Sequence, residues 1–300
     1  MWNKSGRNSD IGRMDKNDYF CEESGNSIIQ HMKTFFVVAS GIADLPDQEL
    51  DGKTPLMIAR TPALDALARC GRCGSILPLS DDKPLSRGNA LLSILGYDPD
   101  KVMPGKEELE RFGSSYGQEH SPGYFVLPGF SGHGVVVSLH PYVRGIGKMA
   151  LLRPLEVART TGDDESVLGA IANTAIEAIG NNEFVLVHVE CAAAMSRKGD
   201  VKGKIEAIER IDREIISPIA DYVWGAKEQM NMVVVSDCIA SWRLRENVRG
   251  EVPAVVYFND DLPYETSSFD ENNVKDGPLN TPLPGDLIKK LVSFEPVPAE

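Results

Sequence analysis

The residues best placed to do chemistry follow a short β-branched run at 184–189: Glu190-Cys191-Ala192-Ala193-Ala194-Met195-Ser196-Arg197-Lys198. The run reads as a buried strand. In an open α/β sheet, ligands sit outside the carboxyl ends of the strands, so the loop over 190–198 is where a site is expected. The same argument singles out Ser40-Gly41 after the apolar run 35–39, and Ser236-Asp237-Cys238 after the run 232–235. A further polar stretch, 80–88, carries Asp81, Asp82, Lys83, Ser86 and Arg87 between a short strand and a short helix. Hydroxyls, thiols, carboxylates and guanidinium groups are all available, but alanines stand where ligands would be needed.

Other reactive types give weaker patterns. Cys70 and Cys73 form a C-x-x-C pair at the end of a helix pattern, yet no second pair or histidine pair at set spacing accompanies it, as a zinc site would require. Cys191 with Cys238 offers a soft-metal or thiol site, against which stands the usual behaviour of buried cysteine as a small hydrophobe. His188 lies inside the strand run and reads as a core histidine, and His133 and His140 flank another strand without an assigned role. Arg144 and Lys148 share one helix face, which either extends an anion site or is simply solvated.

The composition narrows what these groups can serve. The 300 residues and an apolar fraction of 42% support one large α/β domain. A formal charge of −13 repels nucleic acid and anionic membrane. No apolar run approaches the roughly 18 residues that span a bilayer, and no signal-peptide core is visible. Five scattered cysteines fit reduced thiols in a cytoplasm. Residues 1–31 lack periodicity and are expected to be a disordered or loosely packed extension, with a single domain over 32–300.

The elements that must position the candidate residues alternate. Strands are expected at 35–39, 75–79, 135–139, 155–158, 184–189, 232–235 and 254–258. Helices are expected at 62–71 with Thr61 as N-cap and Pro62 in the first turn, at 89–95, at 143–152, from Asp163-Asp164 onward, and at 287–292. The clearest helix runs through Ile205, Ile208, Ile211, Ile215, Ile219 and Val223, kinked at Pro218. Residues 97–130 read as loop. The pattern gives a three-layer, mostly parallel α/β sheet.

The order of these pieces resembles the archaeal-type cofactor-independent phosphoglycerate mutases of the alkaline phosphatase superfamily. The similarity covers most of 32–260 in separate blocks: SGIADLPDQELDGKTPLMIARTPALDALARCGRCG, LLSILGYDP, GVVVSLHPYVRGIGKMA, HVE with GD and KIEAIERIDREIISPI, VVVSD, and EVPAVVYF. The resemblance implies an alkaline-phosphatase-like core. It also implies a two-metal phosphotransferase in which a serine carries the phosphoryl group between two Mn²⁺ or Zn²⁺ ions.

Carried over position by position, that machinery is mostly replaced. The family aspartate before the first glycine falls on Ser40. The nucleophile falls on Arg87 and the aspartate beside it on Gly88, or, with a one-residue slip, the nucleophile falls on Ser86. Further ligand positions fall on Ala193, Arg197, Asp237, Cys238 and Asn247, and of the seven positions for nucleophile and metal ligands, Gly88 not among them, only Asp237 keeps its residue. The substrate-holding Gly-Arg-Gly-Pro becomes Gly105-Lys106-Glu107-Glu108, and about ninety residues separate blocks between which the family inserts a large cap, so the cap is expected to be largely missing, with 97–130 its remnant.

One carboxylate does not hold two divalent ions, so the expectation is no metal, no mutase activity, and a non-enzymatic structural or regulatory protein. Arg87 and Arg197 then pair with Asp237 or nearby acids, or bind a small phosphate ester, with Lys106 and Arg144 as further anion contacts. A protein partner or homo-oligomer is compatible with this role. The alternative is an active mutase or phosphatase-like metalloenzyme with an altered ligand set.

Overall fold

The computed structural model describes residues 32–100, 104–116, 134–157, 166–259 and 266–279, together with 125, 127, 130, 287, 288 and 291. The expectations for residues 1–31, His133 and the Asp163-Asp164 helix start lie outside the described residues, as does most of the closing helix.

Nine strands and nine α-helices are described. The first part of the chain gives β1 (Lys33–Ala39), α1 (Pro55–Ile58), α2 (Pro62–Cys70), β2 (Arg72–Ile76), α3 (Arg87–Ile94), α4 (Lys106–Ser114), β3 (Gly134–Ser138), α5 (Pro141–Met149) and β4 (Arg153–Leu155). The second part gives α6 (Val167–Ile179), β5 (Phe184–Val189), α7 (Cys191–Lys198), α8 (Val201–Ile211), α9 (Ser217–Gly225), β6 (Met230–Val235), β7 (Ile239–Ser241), β8 (Glu246–Val248) and β9 (Val252–Phe258).

Seven strands form one sheet in the order β2-β9-β6-β1-β5-β3-β4, and β7-β8 make a small separate hairpin. The sheet is parallel except at β9, which runs antiparallel to both β2 and β6. β1 sits at its centre because both of its faces are apolar. Phe35, Val37 and Ala39 join one buried cluster with Val185, Val187 and Val234, while Phe36 and Val38 join the opposite one with Leu186, Val233 and Val235. A strand buried on both faces requires helices above and below it, and that requirement produces the three layers.

Several elements depart from the sequence-based reading. The segment expected to be the loop after β5 is helix α7, closed by Gly199 in a left-handed conformation at φ 72°. The stretch 97–130, read as loop, contains α4, whose Leu109 and Phe112 are buried. Gly113 and Gly145 let α4 and α5 touch: a Cβ on Gly145 would stand 2.3 Å from the Leu109 carbonyl oxygen. β2 begins three residues earlier than expected, and the β7-β8 hairpin was not anticipated.

The long helix is interrupted rather than merely kinked. Between α8 and α9 lies a π turn, Asp212–Ile216, in which Ser217 N–H donates to the Asp212 carbonyl. Pro218 cannot donate, and its ring crowds the carbonyl four residues back; widening the preceding turn relieves both. The turn also presents the Asp212 carboxylate to the start of α2, where it accepts from Ala63 N at 3.1 Å and Leu64 N at 2.8 Å. Thr61 stands at the N-cap position without making a side-chain cap bond, so Asp212 supplies the cap from a distant element. Burial raises the Asp212 carboxyl to about 6. Among the described residues no helix is long and apolar enough to cross a membrane.

Candidate functional site

The carboxyl ends of β1, β3, β5 and β6 lead directly into Ser40, His140, Glu190 and Asp237. With α3 and α5 the last three surround a cavity of about 160 Å³ lined by Ser86, Arg87, Gly88, Lys106, His140, Tyr142, His188, Glu190 and Asp237. The location expected from strand topology is therefore where a cavity forms.

Ser86 is the N-cap of α3, its hydroxyl accepting from Asn89 N at 3.0 Å, so Arg87 opens the helix and projects beside the cavity. Gly88 follows because no side chain fits: a Cβ there would lie 1.7 Å from the Tyr142 hydroxyl oxygen. Tyr142 thus fills the space of the missing side chain, and burial raises its pKa.

Glu190 gathers the cations. One oxygen accepts from Arg87 Nη1, and the other lies 3.8 Å from His140 Nε2 and 3.9 Å from Arg197 Nη2. Burial pushes the Glu190 carboxyl up, but Arg87 more than offsets this and holds it below its ordinary value. The arginines therefore pair with Glu190 and not with Asp237, which instead takes the Ser40 hydroxyl at 3.1 Å. Burial pulls His140 below its ordinary value and drives His188, whose Nδ1 is 3.5 Å from Ser138 Oγ, down to about 4.

The remaining family positions form a different surface. Ala193, Cys238 and Ala240 make a small apolar cluster against Ser40, with Ala193 N donating to the Ser40 carbonyl at 3.2 Å. Burial raises the Cys238 thiol well above its ordinary value. Asn247 lies on β8, opposite Ala240 in the hairpin, and does not line the cavity. At the family positions the donors fit divalent ions poorly: a methyl group at Ala193, a thiol held protonated at Cys238, and at Arg197 a guanidinium, which has no lone pair to give.

Of the four cations expected to contact an anion, Arg87 and Lys106 line the cavity, and Arg197 approaches it through Glu190. Arg144 does not. It is buried, donating from Nε to Gly113 O at 2.8 Å and from Nη1 to Ser138 O at 3.0 Å, with its guanidinium 4.9 Å from the Tyr116 ring. Lys148 is also buried, donating to Phe112 O at 2.8 Å. The face they share is neither solvated nor an anion site; it is the α4–α5 seam. Cys73 is likewise structural, a buried thiol raised to about 12 by desolvation.

Sequence reasoning placed Glu190 in the expected site segment without a specific part, and assigned no role to His140, Tyr142 or Lys204. Lys204 is fully buried in α8, its ammonium donating to Asp44 Oδ2 at 2.6 Å, Ala240 O at 2.7 Å and Ala43 O at 3.2 Å. It ties the segments after β1 and β6 together immediately beside the apolar cluster. A signal for it existed: Lys204 falls on the buried stripe with Ile208 and Ile211, whereas Ile205 is only half-buried.

The chain is similar to known proteins in sequence and fold. The Metalloenzyme superfamily sequence signature matches residues 32–260. A 2,3-bisphosphoglycerate-independent phosphoglycerate mutase of Methanosarcina mazei is 22% identical over 395 aligned positions, covering 87% of this chain and all of that protein. One from Methanosarcina acetivorans is 30% identical over 179 positions, 59% of this chain and 45% of that protein. The alignment with the first leaves more than a hundred of its positions without a counterpart here. The PH0037 protein from Pyrococcus horikoshii superposes with a TM-score of 0.75 at 22% identity, covering 89% of this chain and 99% of that one. A cofactor-independent phosphoglycerate mutase from Thermoplasma acidophilum superposes with a TM-score of 0.62 at 16% identity, covering 87% and 99%. The three-layer, mostly parallel α/β core agrees with these matches, and the chain belongs to the Metalloenzyme superfamily, among relatives named as 2,3-bisphosphoglycerate-independent phosphoglycerate mutases.

Proposed function

We propose that this chain is a non-catalytic member of its family, a structural or regulatory protein that keeps a small cleft for a phosphate ester and lacks the two-metal chemistry. The observation that carries the reading is the replacement at the strand edges: Ser40, Ala193 and Cys238 stand at family ligand positions, and Ala193, Cys238 and Ala240 close into an apolar cluster. Two divalent ions without several charged ligands do not repay their dehydration. The Lys204 ammonium supplies one fixed positive charge beside the cluster, bonded to Ala240 O. Arg87 and Lys106 remain at the cavity as donors for an oxyanion, and a guanidinium suits phosphate through paired N–H groups.

The test is metal analysis of the purified protein together with assays on 3-phosphoglycerate and an aryl phosphate, and a calorimetric titration with inorganic phosphate. The expected outcome is sub-stoichiometric manganese and zinc, no turnover, and phosphate binding at millimolar concentration or below. Stoichiometric metal with turnover would establish the opposite reading, a metalloenzyme with an altered ligand set. Absence of any phosphate response would remove the anion cleft.

A further inference from the structure

Glu190 is the carboxylate that a ligand entering the cavity meets. Its side chain is 29% exposed and that of Arg87 28%, and Arg87 Nη1 donates to Glu190 Oε2. Asp237 also lines the cavity, but it is 1% exposed and the oxygen not bonded to Ser40 is closed off from solvent. Burial pushes the Glu190 carboxyl up and Arg87 more than offsets this, so at neutral pH the group is ionised. An ionised carboxylate accepts hydrogen bonds and donates none.

A guanidinium grips an oxyanion through its N–H groups, and here Glu190 already engages Nη1. An oxyanion on Arg87 therefore either takes Nη1 from Glu190 or binds to the neighbouring N–H groups. Glu190 keeps its place on the wall in both cases, because its other oxygen lies 3.8 Å from His140 Nε2 and 3.9 Å from Arg197 Nη2. A carboxylate oxygen then stands beside the bound anion, negative against negative. Like charges side by side and a half-buried acceptor left unmet both oppose binding. A ligand that brings its own O–H removes both objections, since it donates to the carboxylate in a charge-assisted hydrogen bond.

We propose that Glu190 is the specificity-determining residue of the cleft and admits oxyanions that carry an O–H, so that hydrogen phosphate is held by Arg87 while donating to Glu190, and sulfate is refused. This rests on the anion-cleft reading and narrows its ligand class. A phosphate ester qualifies through a hydroxyl next to its phosphate. Selection of this kind works through the repulsive element that the wrong anion meets. The Ser86 and Tyr142 hydroxyls also line the cavity, but a hydroxyl turns to donate or accept as its partner requires and does not tell the two anions apart. The volume of about 160 Å³, roughly five waters at ~30 Å³ each, has room for one tetrahedral oxyanion.

Calorimetric titration of the full chain at mildly alkaline pH with phosphate, arsenate, sulfate and selenate separates the proton from size. All four are tetrahedral dianions under that condition, and the first two alone keep an O–H. Phosphate and arsenate are expected to bind at least about tenfold more tightly than sulfate and selenate. Glu190→Gln, which keeps the shape and supplies an N–H donor, should bring sulfate within about threefold of phosphate. Equal binding of phosphate and sulfate by the wild type would overturn this inference and leave the anion cleft standing. So would a preference that survives in Glu190→Gln, including one in which all four anions gain by the same factor, because Glu190 would then only compete for Arg87. Binding of none of the four by the wild type would remove the cleft and the inference together. The four-anion comparison needs no variant, so it tests the inference even where Glu190→Gln folds poorly.

Discussion

Two sets of cations in this molecule look alike in sequence and end in opposite situations. Lys204, Arg144 and Lys148 are buried and spend their donors mainly on backbone carbonyls, with Lys204 also paired to Asp44. Arg87 and Arg197 remain partly exposed and converge on one carboxylate, Glu190. A carbonyl belongs to the backbone and cannot swing away, so a cation held by carbonyls is fixed. A cation held by a half-exposed carboxylate has a partner that an incoming anion can replace. What separates a structural cation from one available to a ligand is thus the acceptor it meets, and a single sequence does not display that acceptor.

The contrast breaks most visibly at Lys204. Replacing Lys204 with Ala leaves Asp44 buried without its counter-ion and should cost about 3–5 kcal/mol in urea unfolding. A loss below about 1 kcal/mol would show that the buried set is not structural. The next effect comes from creating a cation where the fold has none. His188 has its folded value depressed to about 4 from 6.5, so its contribution to stability is complete above pH 6.5 and is lost as pH falls through 4. The loss amounts to about 3 kcal/mol at most. Urea unfolding between pH 7 and pH 4 should show that decline, and His188→Gln should flatten it.

Arg144→Ala should cost about 2 kcal/mol, through two carbonyl acceptors left unmet in the α4–α5 seam, with phosphate binding unchanged. Weakened phosphate binding in that variant would move Arg144 into the site. Arg87→Ala should reverse the pattern. Because the Arg87–Glu190 pair is partly solvated, stability should change by no more than about 1 kcal/mol, while calorimetric phosphate binding is lost.

The central sheet was readable because its strands are near-continuous apolar runs, and β5 falls on the residues expected for it. The position of the site followed from the ends of those strands. What the sequence hid were pairings between distant segments: Glu190 with Arg87, Asp212 with the start of α2, Lys204 with Ala43 and Ala240. Helix α7 was hidden for another reason. An alanine-rich stretch after a strand was read as a loop through its expected chemistry, although alanine is the strongest helix former. The α4 helix escaped because its buried residues are few and lie between segments of glycine and proline.

The π turn at 212–216 settles a question of phase in the helix around it. Buried positions step through Ile208, Ile211 and Ile215, then through Ile216, Ile219 and Val223, so two successive isoleucines, Ile215 and Ile216, are both inward. In an uninterrupted α-helix neighbours point about 100° apart and cannot both centre one stripe. The extra residue of the π turn lets Ile216 turn inward beside Ile215, so both join the cluster that the stripe from Ile208 to Val223 packs into, and the helix buries one more isoleucine than an unbroken stripe would place there.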